Sequence, residues 1–140
     1  MKLYTKVPIS ECIARTGKQP IATRWIDVNK QDAANPLYRS RLVGKGFNTY
    51  NDMSLYAATP PTDALRLILQ IAATNRSGSN LKIMTNDASR AYFYAPAQEG
   101  QNIYVKLPAE DVLPGEEHVC GKLNYSMYST RHAATNWQAH

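Results

Sequence analysis

The residues of this chain best placed to do chemistry surround one carboxylate, Asp87. The apolar stretch from Leu81 to Thr85 predicts a short strand that would present Asp87 at its carboxyl end. A carboxylate whose direction is fixed by the backbone in this way is a suitable ligand for a hard divalent cation. The turn after it, from Ser89 to Ala91, would leave backbone N–H groups that can meet a phosphate. An Asp in this position is also a common turn or helix cap, so its context decides between the two interpretations.

Basic side chains form a second group that could do chemistry. Residues 1–50 carry nine Lys or Arg against three acidic residues, a balance of +6, so the remaining ninety residues total −1. Arg39 and Arg41 are two positions apart in a predicted strand, and their side chains therefore share one face of it. Together with Lys45 they suit contact with the phosphates of a polyanion. A solvated surface with spare positive charge is the alternative interpretation.

Alternating polar and apolar residues predict a β-hairpin that carries these arginines. Ile21 to Val28 and Leu37 to Val43 both have the period of two that is typical of strands. The polar residues 30–36 between them end in Asn35-Pro36, a turn signal, and would form a long basic tip. Gly44-Lys45-Gly46 ends the hairpin, and it lacks the spacing and the following hydroxyl residue of a Walker loop.

The second half of the chain predicts further elements. Thr59-Pro60-Pro61-Thr62-Asp63 is a helix start with a capping hydroxyl, and residues 77–80 are a stop. The apolar face of this helix, which we expect to pack on a sheet, consists of Leu65, Ile68, Leu69 and Ala72. Residues 103–107 and 119–123 predict strands, and residues 126–138 predict a helix. With the strand at 81–85, the order ββ-α-β-β-β-α predicts an α+β fold with helices packed on one face of a β-sheet.

The composition is that of a globular protein, with 44% hydrophobic and 19% charged residues. No apolar run approaches the roughly 18 residues that a membrane span needs, and the amino terminus lacks the apolar stretch of a secretory signal. Cys12 and Cys120 form no Cys-x-x-Cys pair, so we expect two reduced thiols in an intracellular protein, cytoplasmic or nuclear. The three histidines stand at no metal-ligand spacing with either cysteine, so no zinc site is expected.

Residues 85–93 resemble the first catalytic motif of reverse transcriptases. The resemblance implies that Asp87 binds a divalent metal ion, Mg²⁺. It also implies that Tyr92, which follows the small Ala91, acts as a gate against the ribose 2′-hydroxyl. Ser89, Arg90 and Ala91 would then belong to the nucleotide-binding site.

Four further segments are similar to copia-type retrotransposon reverse transcriptases. Tyr38 to Phe47 resembles the fingers motif, Ala57 to Pro61 the segment before the first palm helix, and Ile103 to Pro108 a strand of the palm. Lys122 to Trp137 resembles a block that shapes the pocket for the templating base. In that block the pocket residues would be Arg131, His132 and Ala133.

The last block departs from the family pattern at three positions. Ser129 stands where the family usually has Gly, His132 where it has Gln, and Ala134 where it has Pro. The sequence also contains no Asp-Asp pair, and therefore no Tyr-x-Asp-Asp hairpin. Because nucleotidyl transfer uses two metal ions held by several carboxylates, we expect the isolated chain to be inactive.

The resemblance implies a domain plan and ligands. Residues 1–140 would form a single truncated reverse transcriptase domain, with residues 1–58 fingers-like and residues 59–140 a partial palm. The chain would be a fragment of the RNA-directed DNA polymerase of a Pol polyprotein, with the remainder missing. Its partners would be an RNA or DNA template–primer and dNTP, with no membrane partner.

A second hypothesis is a degenerate nucleic-acid-binding module without catalysis. The basic front half supports it, as do three aromatic residues that could stack on bases, Trp25, Tyr38 and Phe47. Ordinary strand packing is the other interpretation of Trp25 and Phe47. A relic with no selected role is a third possibility.

Overall fold

A computed structural model describes residues 2–46, 59–74 and 82–140 of the chain. The chain divides into two compact units, one formed by Met1–Tyr56 with Arg90–His140 and the other by Ala57–Ser89. The described residues form three α-helices and five strands in two antiparallel sheets. None of the described helices is long and apolar enough to cross a membrane. The fold class is therefore α+β, as predicted, although with two sheets where a single sheet was expected.

The main sheet of the first unit consists of β1 (Tyr4–Pro8), β4 (Tyr104–Val105) and β5 (Val119–Leu123). It is antiparallel, with the strand order β1-β5-β4. Helix α1 (Ile9–Thr16) follows β1 directly, and its buried Cys12 packs with Cys120 and Tyr104 in one core cluster. Strand β1 and helix α1 were not predicted from the sequence, and the strand predicted at residues 103–107 is longer than the two residues of β4.

The predicted hairpin forms the second sheet, from β2 (Thr23–Asn29) and β3 (Tyr38–Gly44). Its register pairs Thr23 with Gly44 and Asn29 with Tyr38. The Asn29 side-chain oxygen accepts hydrogen bonds from the N–H groups of Gln31 and Leu37, at 3.1 and 2.9 Å. These bonds close the loop across the end of the hairpin and so help to set its register.

Backbone hydrogen bonds join the base of the hairpin to the main sheet. The Ile21 N–H donates to the Tyr104 carbonyl at 2.8 Å, and the Lys106 N–H donates to the Ile21 carbonyl at 2.8 Å. A second core cluster, of Val105, Leu123 and Met127, lies in the same unit and includes the partly buried Ile21 at its edge. The hairpin is thus anchored at its base, while its distal half is exposed.

Helix α3 spans Ala133–Ala139, so the helix predicted from Ser126 begins later than expected. Ser129 has φ of 61°, in the left-handed region, and this conformation is incompatible with a continuous right-handed helix. Residues 126–132 form no helix, and turns lie at residues 128–129 and 131–132. The predicted carboxyl-terminal end of the helix is close to the observed one.

Helix α2 (Thr62–Ala73) is the regular element of the second unit in its described part. Pro61 is the N-cap residue and no side chain caps the helix, so the expected capping hydroxyl is wrong. The apolar face predicted to pack on a sheet is not buried, with Leu65 56% and Ile68 55% exposed. The predicted stop at residues 77–80 lies outside the described residues.

A buried amide pair anchors α3 and provides a stability prediction. Asn136 and Gln101 exchange two side-chain hydrogen bonds, at 2.9 and 3.1 Å, and Asn136 also donates to the Ser126 hydroxyl at 3.0 Å. Asn136→Ala leaves these partners unpaired, so we expect it to lower the free energy of unfolding by about 2 kcal/mol. Urea denaturation measures the change, with the exposed Gln98→Ala as the control. Equal changes in the free energy of unfolding for the two substitutions would show that the amide pair does not stabilise the fold.

Candidate functional site

Asp87 lies in the second unit, in a stretch without regular secondary structure. Residues 82–88 form no strand, so the strand predicted at 81–85 is wrong for its described part, and Leu81 lies outside the described residues. A short apolar stretch becomes a strand only when another strand pairs with its N–H and C=O groups. The described residues of this unit supply no such partner. Asp87 itself is exposed to solvent.

The metal site implied for Asp87 needs more ligands than the described part of the chain brings together. Among those residues, no group of three or more His, Cys, Asp or Glu side chains is arranged to hold a metal ion. Mg²⁺ is bound by carboxylates and waters, and a two-metal centre needs several carboxylates. The described residues therefore do not fit a complete two-metal centre, and Asp87 is at most one of its ligands.

The turn after Asp87 leads into a short 3₁₀ helix at Ala91–Tyr94. Arg90, which precedes this helix, has φ of 59°, and its carbonyl accepts a hydrogen bond from the Phe93 N–H at 2.9 Å. The first N–H groups of such a helix have no acceptor within it. The phosphate contact expected for residues 89–91 stays a prediction.

Tyr92 belongs to an aromatic cluster whose central residue is Tyr128. The Tyr92 and Tyr128 ring centroids are 5.1 Å apart with an interplanar angle of 59°. Phe93 meets the same ring edge-on, at 5.2 Å and 74°. The guanidinium carbon of Arg41 lies 5.7 Å from the Tyr128 centroid, within the range of a cation–π interaction. Tyr128 thus joins the predicted gate to a predicted phosphate-contacting arginine, although the sequence analysis did not select it as a site residue.

Arg39 and Arg41 are exposed on one face of β3, as their spacing predicted. The hairpin register pairs Arg41 with Ile26 and Val43 with Arg24. Directly opposed residues of an antiparallel pair point to the same face, so the exposed Arg24 joins the two arginines there. Arg24 was not predicted to belong to this face, because alternation within β2 does not reveal which of its faces continues the arginine face of β3.

Lys45 lines a different cleft, of about 340 Å³, in the first unit. The lining of this cleft includes four basic side chains: Lys18, Lys45, Arg131 and His132. The Lys45 N–H donates to the Ala22 carbonyl at 2.7 Å, beyond the end of β3, so the strand alternation no longer decides where its side chain points. Ala133, the third residue of the predicted templating pocket, is only 3% exposed and packs in the core.

Gly44 and Gly46 let the end of β3 approach residues 127–130. A Cβ atom on Gly44 would lie 3.1 Å from Cγ2 of Thr130, and one on Gly46 would lie 3.1 Å from the Ser129 carbonyl oxygen. The Gly44 N–H donates to the Tyr128 carbonyl at 3.0 Å. This close backbone contact accounts for the two glycines and agrees with the rejection of a Walker loop.

The backbone at Ser129 supports a second stability prediction. Its φ of 61° favours glycine, the residue that the copia-type block usually has there. We expect Ser129→Gly to raise the free energy of unfolding by about 1 kcal/mol. Glycine avoids the cost that serine has in the left-handed region, and its greater entropy in the unfolded chain offsets part of this gain. Urea denaturation of Ser129→Gly and Ser129→Ala tests this, because alanine removes the hydroxyl without relieving the backbone. Equal stabilisation by alanine would contradict the backbone explanation.

Residues 12–140 match the family described as reverse transcriptase (RNA-dependent DNA polymerase). The retrovirus-related Pol polyprotein from transposon TNT 1-94 of Nicotiana tabacum is 28% identical over 126 residues, which cover 86% of this chain and 9% of the polyprotein. The chain therefore corresponds to a small part of that relative's length, and no solved structure matches it significantly. The family match confirms the resemblance: the chain belongs to the reverse transcriptase family, as a fragment related to a retrotransposon Pol polyprotein.

Proposed function

We propose that the chain forms the fingers and the first part of the palm of a copia-type RNA-directed DNA polymerase. Residues 1–58 would be fingers-like and residues 59–140 a partial palm. The observation that carries the proposal is the contact of Tyr128 with Tyr92 and Arg41. These residues come from three separate family motifs, so the first unit brings together segments that one polymerase site would use.

The ligands that this function requires are a template–primer and a dNTP. Arg24, Arg39 and Arg41 form an exposed basic face on the hairpin, suited to phosphates. Lys45, Arg131 and His132 line the cleft of about 340 Å³, and Arg131 and His132 would belong to the pocket for the templating base. Tyr92 would discriminate against the ribose 2′-hydroxyl by shape.

Asp87 would supply one carboxylate to the Mg²⁺ ions of the polymerase. Bound Mg²⁺ supplies electrostatic stabilisation of the attacking and leaving oxygens. Because the sequence holds no Tyr-x-Asp-Asp hairpin, the 140-residue chain would not synthesise DNA alone. We use the term completed polypeptide for this chain extended by a palm segment with that hairpin and by a thumb.

An intracellular location, cytoplasmic or nuclear, belongs to the same proposal. Cys12 and Cys120 are free thiols buried in one core cluster, and such a compartment would keep them reduced.

The alternative of a binding module without catalysis is not favoured, since the family match extends over residues 12–140. Its aromatic residues have varied surroundings in the structure. Trp25 is 48% exposed and donates from Nε1 to Glu110 at 3.3 Å, and Tyr38 is 69% exposed. Ordinary strand packing would bury Trp25, and its exposure therefore does not agree with that interpretation. Phe47 lies outside the described residues.

Binding of nucleic acid by the hairpin is the direct test for the chain as it stands. We expect weak, sequence-independent binding of RNA and DNA that falls steeply with salt, because each neutralised phosphate releases a counterion. Replacing Arg39 and Arg41 with Ala should lower affinity for both and reduce the slope of log affinity against log salt by up to about 2. Fluorescence anisotropy across a salt series measures both quantities.

A double variant with the same loss of charge is the control. Lys2 and Arg15 are both exposed and lie outside the hairpin, and replacing them with Ala also lowers the net charge of +5 by two. We expect this variant to retain most of the salt slope. Equal slopes for the two double variants would mean that Arg39 and Arg41 are ordinary solvated charges.

A further inference from the structure

The backbone of Tyr128 is held between the end of β3 and the core. Its carbonyl accepts the Gly44 N–H at 3.0 Å, and the preceding Met127 is completely buried. Thr130 closes the turn, with its N–H and its hydroxyl both donating to the Met127 carbonyl, at 3.2 and 2.7 Å. The Tyr128 ring therefore projects from a fixed point of the fold.

Tyr92 is held in the fold through its neighbours, since Phe93 packs against the second core cluster and Ala95 is completely buried. It lies in a 3₁₀ helix of four residues that begins after a left-handed residue, Arg90. These backbone contacts do not set the side-chain torsion angles of the Tyr92 ring, whereas a group that discriminates by shape must be held closely, with support from its neighbours. The Tyr128 ring supplies that support, since it contacts both Tyr92 and the adjacent Phe93.

We propose that Tyr128 is a positioning residue that holds the Tyr92 ring in the orientation needed to exclude ribonucleotides and keeps Arg41 beside it. This inference rests on the proposed function of Tyr92 as the sugar gate. The Tyr128 ring acts through its faces and edge, by contact with two aromatic rings and by attraction of the Arg41 guanidinium. A phenylalanine at this position keeps all of these contacts, and an alanine removes them.

Nucleotide selectivity in the completed polypeptide tests the role. The readout is the ratio of kcat/KM for a dNTP to that for the matching rNTP, measured by primer extension on an RNA template. We expect Tyr128→Ala to lower this ratio at least roughly tenfold, because a small displacement of the gate opens space for the 2′-hydroxyl. Tyr128→Phe should retain the ratio. Combining Tyr92→Ala with Tyr128→Ala should cost no more selectivity than Tyr92→Ala alone, because the ring to be positioned is gone.

Each outcome separates this inference from the function on which it rests. If Tyr92→Ala leaves the ratio unchanged, the gate itself is wrong, and the role of Tyr128 is wrong with it. If Tyr92→Ala lowers the ratio and Tyr128→Ala does not, the gate stands and the positioning role is overturned. A loss of selectivity in Tyr128→Phe equal to that in Tyr128→Ala also overturns it, because the ring contacts remain in that variant.

A readout on the 140-residue chain keeps the inference testable without polymerase activity. With 3-fluorotyrosine placed at position 92, Tyr128→Ala should shift and narrow the ¹⁹F signal, since the ring loses a neighbour and turns more freely. Tyr94→Ala is the control, because Tyr94 lies in the same short helix and is 55% exposed. Circular dichroism verifies that both variants fold. An unchanged ¹⁹F signal in a folded Tyr128→Ala chain overturns the inference.

Discussion

Asp87→Asn is expected to lower RNA-templated DNA synthesis by the completed polypeptide roughly 10³-fold, several kcal/mol of transition-state stabilisation. The substitution removes one negative charge at almost constant volume, and Asp87 is exposed, so the fold should be unaffected. Primer extension on an RNA template with Mg²⁺ measures the loss. The effect is expected in kcat, since the carboxylate would act on the reacting oxygens through the metal ions.

Asp63→Asn is a matched control within the same unit. Asp63 is an exposed carboxylate in the first turn of α2, and its Oδ1 lies 3.2 Å from Nη1 of Arg66. Exposed ion pairs of this kind contribute little to stability, so the variant should retain synthesis. Full activity in Asp87→Asn, or equal losses in the two variants, would contradict the metal-ligand assignment.

Tyr92→Ala is expected to preserve DNA synthesis and to admit ribonucleotides. Removing the ring leaves space for the 2′-hydroxyl, and steric discrimination of this size corresponds to roughly 10–100-fold in the ratio of kcat/KM for dNTP and rNTP. Primer extension with each nucleotide alone measures the ratio. The expected pattern is a large gain in rNTP use with a small change in dNTP use.

Tyr94→Ala separates the gate from a general effect on the short helix. Tyr94 is two residues further along the same 3₁₀ helix and is 55% exposed. Its substitution should leave the selectivity ratio unchanged. A Tyr92→Ala variant that lost all synthesis without gaining ribonucleotide use would show that Tyr92 has another role.

The β2–β3 hairpin was predictable because the residues that determine it lie close together in the sequence. Both strands have the period of two, and the turn residues between them close the loop through the Asn29 side chain. Strand β1 was missed because its partner, β5, lies far along the chain, as the pairing of Tyr4 with Leu123 shows. The strand at residues 81–85 was predicted but does not form in its described part. Its apolar residues fit a strand, but this part has no pairing partner.

The features of the candidate site that follow from nearby residues were predictable, and those that depend on contacts between distant segments were not. The common face of Arg39 and Arg41 follows from strand alternation, but the addition of Arg24 depends on the hairpin register. Tyr128 could not be selected by spacing, because its ring contacts join residues from three separate segments. Lys45 lies beyond the end of β3, so a rule based on alternation did not apply to it.

The most direct test of the account is RNA-templated dNTP incorporation, measured side by side for the 140-residue chain, the completed polypeptide and its Asp87→Asn variant. We propose that this chain, a member of the reverse transcriptase family, would supply one metal-binding carboxylate, and its sequence lacks the second catalytic motif. We therefore expect incorporation by the completed polypeptide, its loss in Asp87→Asn, and none by the chain alone with Mg²⁺ or Mn²⁺. Template-dependent incorporation by the chain alone that disappears in Asp87→Ala would contradict this account, as would synthesis by the completed polypeptide that survives Asp87→Asn.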